Sequence, residues 1–182
     1  MVSKKLQGLK VALVIAPEAF RDEELFVPKE RFEQEGAETV VASTKVGEAT
    51  GMLGGKTMVQ STIRDLKSSD FAAVVVIGGM GSPEHLWDNS ELHQLLQTHV
   101  KADKPVAAIC LSGAALANAG ILTDKQATVW ECPESLEALK NGKANYVKQP
   151  VVQDGKIITA NGPDAAEEFA TALITELSKV KV

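Results

Sequence analysis

Cys110 stands where a buried strand runs straight into a helix. Pro105 to Ile109 (PVAAI) reads as strand, Leu111 to about Asn118 as helix, and no loop separates them. A residue at such a turn is held at a sharp angle with its side chain exposed. It also lies at a helix N-terminus, whose free N–H groups and dipole favour an anion. A thiol there is expected to have a lowered pKa and to act as a nucleophile at neutral pH. The same residue fits a plainer role, as a small buried hydrophobe. Gly78-Gly79 ends another buried run, Phe71 to Ile77 (FAAVVVI), and is expected at the same end of the molecule.

Other reactive side chains are few. The three histidines, His85, His93 and His99, all fall in one segment. His93 and His99 lie on a helical pattern and read as solvated surface residues. No spacing of His, Cys, Asp or Glu resembles a ligand set, so neither a metal nor another cofactor is expected. Glu24 by itself reads as an ordinary glutamate in the first turn of a helix. The second cysteine, Cys132, makes only a pair, which is not a disulfide framework.

The elements that must position these residues alternate along the chain. Val11 to Ala16 (VALVIA) has the continuous apolar character of a strand buried on both faces. Glu23 to Glu35 follows as a helix, with Pro28 expected to kink or restart its first turn. Thr39 to Ala42 is the next strand, and the Gly-rich stretch Thr44 to Ser61 reads as a β-excursion. Leu92, Leu95, Leu96 and Val100 give a helix its apolar face. Ala127 to Trp130, Val151-Val152 and Lys156 to Ala160 read as short strands, the last two joined at Asp154-Gly155. A terminal helix begins at Pro163 and buries Phe169, Leu173, Ile174 and Leu177. Alternating strands and helices predict a parallel sheet with helices on both faces, in a single domain spanning 1–182.

Composition limits the function classes. The 182 residues are 45% apolar, enough for a substantial core, which argues against disorder. The net charge is −5 and Lys and Arg are scattered, so no nucleic-acid partner is expected. The N-terminal residues lack the apolar stretch of a signal peptide, and no apolar run is long enough to span a bilayer. A cytoplasmic protein with no membrane association is the expectation.

Val106-Ala107-Ala108-Ile109-Cys110 resembles the nucleophile elbow of the PfpI/ThiJ superfamily. Gly78-Gly79, Ser82-Pro83-Glu84-His85-Leu86, Glu24-Leu25-Phe26-Val27-Pro28 and Thr159-Ala160-Asn161-Gly162-Pro163 resemble further segments of that family, in the same order. The resemblance implies a flavodoxin-like, doubly wound, mostly parallel sheet of the class I glutamine amidotransferase-like three-layer kind. It implies that Cys110 is the reactive cysteine and that Glu24 is a buried, protonated glutamate bonded to its sulfur. It implies an oxyanion hole from the backbone N–H groups of Gly79 and Leu111. Glu84 matches a glutamate that reaches into a neighbouring subunit's site, His85 is an accessory candidate beside it, and a homodimer or higher oligomer is implied.

The sequence departs from the family pattern around the cysteine. Leu111 stands where the PfpI-like branch has a histidine, and Ser112-Gly113 replaces a Gly-Pro. Other members carry a histidine after the next strand; alignment places Cys132 there, within two residues, in Trp130-Glu131-Cys132-Pro133. A Cys-His-acid triad is not evident, and protease activity is not supported. Three readings stay open: an enzyme acting on small reactive carbonyls in the glyoxalase or deglycase manner, a redox-responsive protein whose partner is an oxidant, and a catalytically silent member.

Overall fold

The computed structural model describes residues 3–180. The chain opens with β1 (Lys10–Val14), the short β2 (Glu18–Phe20) and helix α1 (Asp22–Gln34). Strands β3 (Glu38–Ser43), β4 (Gly47–Gly51), β5 (Lys56–Val59) and β6 (Ser61–Thr62) follow. Next come β7 (Ala73–Val76), the single-turn α2 (Ser82–His85) and α3 (Ser90–Lys101). β8 (Val106–Ile109) passes through one 3-10 turn, Cys110–Ser112, into α4 (Gly113–Asn118). The remainder holds β9 (Gln126–Ala127), α5 (Pro133–Asn141), β10 (Asn145–Tyr146), β11 (Val151–Asp154), β12 (Ile157–Ala160) and α6 (Ala166–Leu177).

Seven strands form the central sheet in the order β11-β12-β8-β7-β1-β3-β6. All neighbours pair parallel except β11 with β12, whose hairpin turns at Gly155-Lys156, one residue later than expected, since Asp154 still pairs with Ile157. The expected strand from Ala127 to Trp130 shrinks to Gln126–Ala127, which pairs with β10 outside this sheet. The excursion after β3 supplies β4 and β5, which join β2 in a separate three-stranded sheet.

The alternation of side chains along each strand divides the core into two faces. Leu13, Ile15, Val75, Ile77, Ala107 and Ile109 point to one, where α1 contributes Leu25 and Phe32 and α6 contributes Phe169 and Leu173. Ala12, Val14, Val74, Val76, Val106 and Ala108 point to the other, covered by Leu92 and Leu96 of α3, Leu116 of α4 and Leu139 of α5. Covering both faces explains why the central strands are continuously apolar rather than alternating. The result is the three-layer, mostly parallel α/β fold. Helix α1 runs unbroken from Asp22 to Gln34 with Pro28 inside it. Among the described residues no helix is long and apolar enough to cross a membrane.

Strand order reverses at β1: the chain moves from β1 to β3 on one side, then returns to place β7 on the other. In such sheets the crevice beyond the strand ends at the reversal is the natural ligand site. The segments that follow β1, β7 and β8 meet there.

Candidate active site

Cys110 has φ +61°, the left-handed region that non-glycine residues rarely enter. The strain is held from both sides. Upstream, β8 pairs with β7 and β12; downstream, the carbonyl of Cys110 accepts the Trp130 N–H at 3.1 Å. The cysteine is not exposed as the turn geometry suggested, since only 7% of its surface meets solvent.

Glu24 reaches the same point from α1 and is fully buried. Its Oε1 accepts the Gly78 N–H at 3.0 Å. Its Oε2 is buried with no well-formed hydrogen bond, yet the carboxyl lies close enough to Cys110 that each group perturbs the other's ionisation. Burial is the main force pushing the Glu24 carboxyl up to about 8, against the pull of Cys110 and the Gly78 N–H. At neutral pH Glu24 is therefore mostly protonated.

The Cys110 thiol is also raised, which corrects the expectation of a lowered pKa. Burial contributes most and the Glu24 carboxylate adds to it; the N–H groups of Leu111 and Gly79 pull the other way without prevailing. The helix behind Cys110 is a 3-10 turn followed by a six-residue α4, too short to supply a strong dipole. The two N–H groups named from the resemblance are thus brought to the sulfur, one from each side of the crevice.

Glycine is required at 78 and 79. A Cβ at Gly78 would lie 2.7 Å from Cys110 Cβ and 2.7 Å from Glu24 Oε1. Gly79 has φ +113°, and a Cβ there would collide with the backbone of Ala19 and Arg21. Behind the crevice, Ser112 Oγ donates to the Ile77 carbonyl at 2.6 Å and pairs with Ser82 Oγ at 2.7 Å. The Trp87 indole donates to the Leu111 carbonyl at 2.8 Å. These bonds tie the turn after β7 to the turn after β8, and so fix the spacing of the Gly79 and Leu111 N–H groups.

A cavity of about 140 Å³ opens above the sulfur, with walls from Arg21, Met52, Met80, Trp130 and Pro163. Met52 is carried in by the β4–β5 turn, which Asp22 fastens to α1 by accepting the Leu53 and Gly55 N–H groups, each at 2.8 Å. A larger cavity, of about 720 Å³, lies at the opposite ends of the strands around Lys10 and Lys104 and is lined by neither cysteine nor histidine.

Several expected participants lie elsewhere. Cys132 does not line the cavity; it caps α5, where its N–H donates to Ser135 Oγ at 3.2 Å and its sulfur lies 3.3 Å from the same oxygen. Trp130, two residues earlier, lines the cavity instead. Glu84 and His85 also lie outside the cavity. His85 Nε2 sits 3.5 Å from Glu18 Oε1 and 3.7 Å from Glu84 Oε2, a grouping that sequence spacing did not show. His93 and His99 are not solvated surface residues. His93 Nε2 contacts the Trp87 carbonyl at 2.7 Å, and fully buried His99 pairs Nδ1 with Ser68 Oγ at 2.8 Å. Burial, with Lys104 nearby, lowers His99 to about 4.

The cavity residues Arg21, Met52 and Met80 carried no signal in the sequence, because each arrives from a loop whose path only the fold sets.

A left-handed cysteine at the carboxyl edge of a doubly wound sheet, set against a buried carboxyl, defines a recognisable class of three-layer α/β proteins. The DJ-1/PfpI family model matches residues 9–176, and the chain belongs to that family. An uncharacterised Methanocaldococcus jannaschii protein is 46% identical over 176 residues, 97% of this chain and 86% of the relative. A Pyrococcus abyssi deglycase is 30% identical, covering 83% of this chain and 89% of its own. The crystal structure of a Brachyspira murdochii ThiJ/PfpI domain protein superposes with a TM-score of 0.90 at 34% identity, covering 94% of this chain and 98% of that one. Drosophila melanogaster DJ-1beta gives 0.82 at 28% identity, covering 94% and 92%.

Proposed function

We propose that the protein is a cysteine-dependent enzyme acting on small reactive carbonyl compounds, with Cys110 as nucleophile and Glu24 as its proton carrier. The observation that carries this reading is the meeting of the Cys110 thiol, the titrating Glu24 carboxyl and two backbone N–H donors in one small crevice. The Pyrococcus relative named as a deglycase supports the same substrate class.

In the reacting form the Glu24 carboxyl is ionised and the thiol keeps its proton. As sulfur bonds to the aldehyde carbon, the carbonyl π pair moves to oxygen, where the Gly79 and Leu111 N–H groups receive it. The thiol proton passes to Glu24 and then to that oxygen, completing a hemithioacetal. In a 2-oxoaldehyde this adduct isomerises. A proton leaves the sulfur-bearing carbon and arrives on its neighbour, the hydroxyl proton moves to the neighbouring oxygen, and a 2-hydroxy thioester results. Water cleaves that thioester to the 2-hydroxy acid and restores the thiol.

Steady-state conversion of methylglyoxal to lactate tests the reading. Wild-type turnover with complete loss in Cys110→Ala supports it; no turnover by the wild type sinks it.

A second reading has its own support. No histidine lines the cavity, which leaves Glu24, among the described residues, as the acid–base group beside the sulfur. A redox-responsive Cys110, oxidised to sulfenic or sulfinic acid by peroxide, needs no further base. Mass spectrometry after peroxide titration, with no methylglyoxal turnover, would favour it.

A further inference from the structure

We infer that the Cys110 cavity selects carbonyl compounds bearing a carboxylate or another anionic group, and that Arg21 receives that group. The inference rests on the reading of Cys110 as the reacting thiol and adds the substrate's charge to it.

Size sets the first limit. At about 140 Å³ the cavity falls below the usual range of ligand pockets, about 300–1,000 Å³, so it admits only a small molecule. Charge sets the second. Among the described residues Arg21 is the only charged one lining it; Met52, Met80, Leu111, Trp130 and Pro163 supply apolar wall. The Arg21 side chain is 27% exposed, so its attraction for an anion is partly screened by water and salt-dependent.

The guanidinium is already oriented. Its Nε and Nη2 donate to a single oxygen of Glu23, Oε2, at 3.2 and 2.9 Å. Nη1 makes no hydrogen bond to any described residue. Glu23 itself does not line the cavity; it steadies the guanidinium from outside, and with Asp22 and Glu24 it supplies the negative charge that an anionic ligand must compete with. An arginine held by one edge still offers donors matched to the planar fork of a carboxylate. Its backbone is fixed as well, since the Arg21 N–H donates at 3.0 Å to the carbonyl of Gly78, the residue wedged between Glu24 and Cys110. The backbone that carries Arg21 and the turn that carries the sulfur therefore belong to one unit, and Glu23 holds the guanidinium end of the side chain. Arg21 and Cys110 line the same small cavity, so a ligand that meets the thiol lies beside Arg21.

Two alkylating agents of similar shape, one anionic and one neutral, test this without turnover. Full-length protein is treated with iodoacetate or iodoacetamide at pH 8, and modification of Cys110 and Cys132 is followed by peptide mass spectrometry. The iodoacetate-to-iodoacetamide rate ratio should be about tenfold higher at Cys110 than at Cys132, the internal control. Raising the salt from about 0.02 M to about 0.5 M should shrink that preference. R21Q should bring the Cys110 ratio down to that of Cys132, whereas E23Q should raise it by freeing the guanidinium's charge. Glyoxylate should protect Cys110 from iodoacetamide at lower concentration in wild type than in R21Q. Equal ratios at the two cysteines, or a ratio that neither variant moves, would overturn the assignment of Arg21. If Cys110 reacts with neither reagent while Cys132 reacts with both, the reading of Cys110 as a reactive thiol fails first, and this inference falls with it.

Discussion

The Glu24 carboxyl and the Cys110 side chain approach so closely that a single methyl group at Gly78 would sit 2.7 Å from both. One group comes from the first turn of α1 and the other from the turn after β8, 86 positions apart in the chain by their residue numbers. Gly78 is therefore as much a part of the site as the two reactive residues.

Gly78→Ala should disrupt this contact. The added methyl must displace Cys110 or Glu24, and overpacking of this kind costs about 1–3 kcal/mol. Chemical denaturation should show that loss, and iodoacetamide labelling of Cys110 should change in rate. An unaltered rate in a folded variant would mean that the Glu24–Cys110 approach does not govern reactivity.

The pH dependence of Cys110 alkylation should report Glu24. Its carboxyl is held up at about 8, so the ionised form that accepts the thiol proton grows as pH rises through that value. The rate should climb with an inflection near pH 8 in wild type and lose that inflection in Glu24→Gln. Stability should move the opposite way. The folded pKa exceeds the ordinary 4.5, so the stability linked to Glu24 is fully present below 4.5 and is lost as pH rises through about 8. Melting temperatures from pH 5 to pH 8.5 should fall less in Glu24→Gln than in wild type.

His99 carries the reverse linkage. Its pKa is depressed from 6.5 to about 4 by burial, so the unfolded chain takes up a proton that the folded protein refuses. The stability linked to it is present above 6.5 and is lost as pH falls toward 4. Replacing His99 with Gln should flatten the acid limb of the melting profile between those values; an unchanged limb would show that His99 is free to protonate in the fold.

Cys132 should not form a disulfide with Cys110. Its sulfur is engaged with Ser135 at the start of α5, and it does not share the cavity. One equivalent of peroxide should leave Cys132 as a free thiol while Cys110 is oxidised, as read by non-reducing peptide mapping. A linked Cys110–Cys132 peptide would contradict the placement of Cys132. Cys132→Ser should preserve the cap and the melting temperature.

Ser112 should matter through position, not through contact with a ligand. Ser112→Ala removes the bond to the Ile77 carbonyl and strands buried Ser82 Oγ, at a cost of about 1–3 kcal/mol. Replacing both serines with alanine should recover part of that loss, because no hydroxyl is left orphaned. Additive losses in the double variant would show that the two serines act independently.

Local signals in the chain are enough to determine the sheet, the helices and the order in which they come. Continuous apolar runs such as Val11 to Ala16 and Phe71 to Ile77 can be satisfied only between two covering layers, and the strand-to-helix join at Cys110 places that residue at the sheet's carboxyl edge. Gly78-Gly79 and Glu24 were legible as members of a set because their motifs follow in a known order, although nothing local distinguishes Glu24 from any other helix glutamate. Tertiary structure decided the electrostatics and the walls. Whether Cys110 is acidic depends on how deeply it is buried and what ionises beside it, and those are sums over residues far apart in sequence. Whether His99 faces water depends on the segment around Ser68 folding over α3. Trp130 rather than Cys132 reaches the cavity because a two-residue shift, within the tolerance of any alignment, turns one side chain toward the sulfur and the other toward the cap of α5. Arg21, Met52 and Met80 come together from three loops, and loops obey no period that a sequence can display.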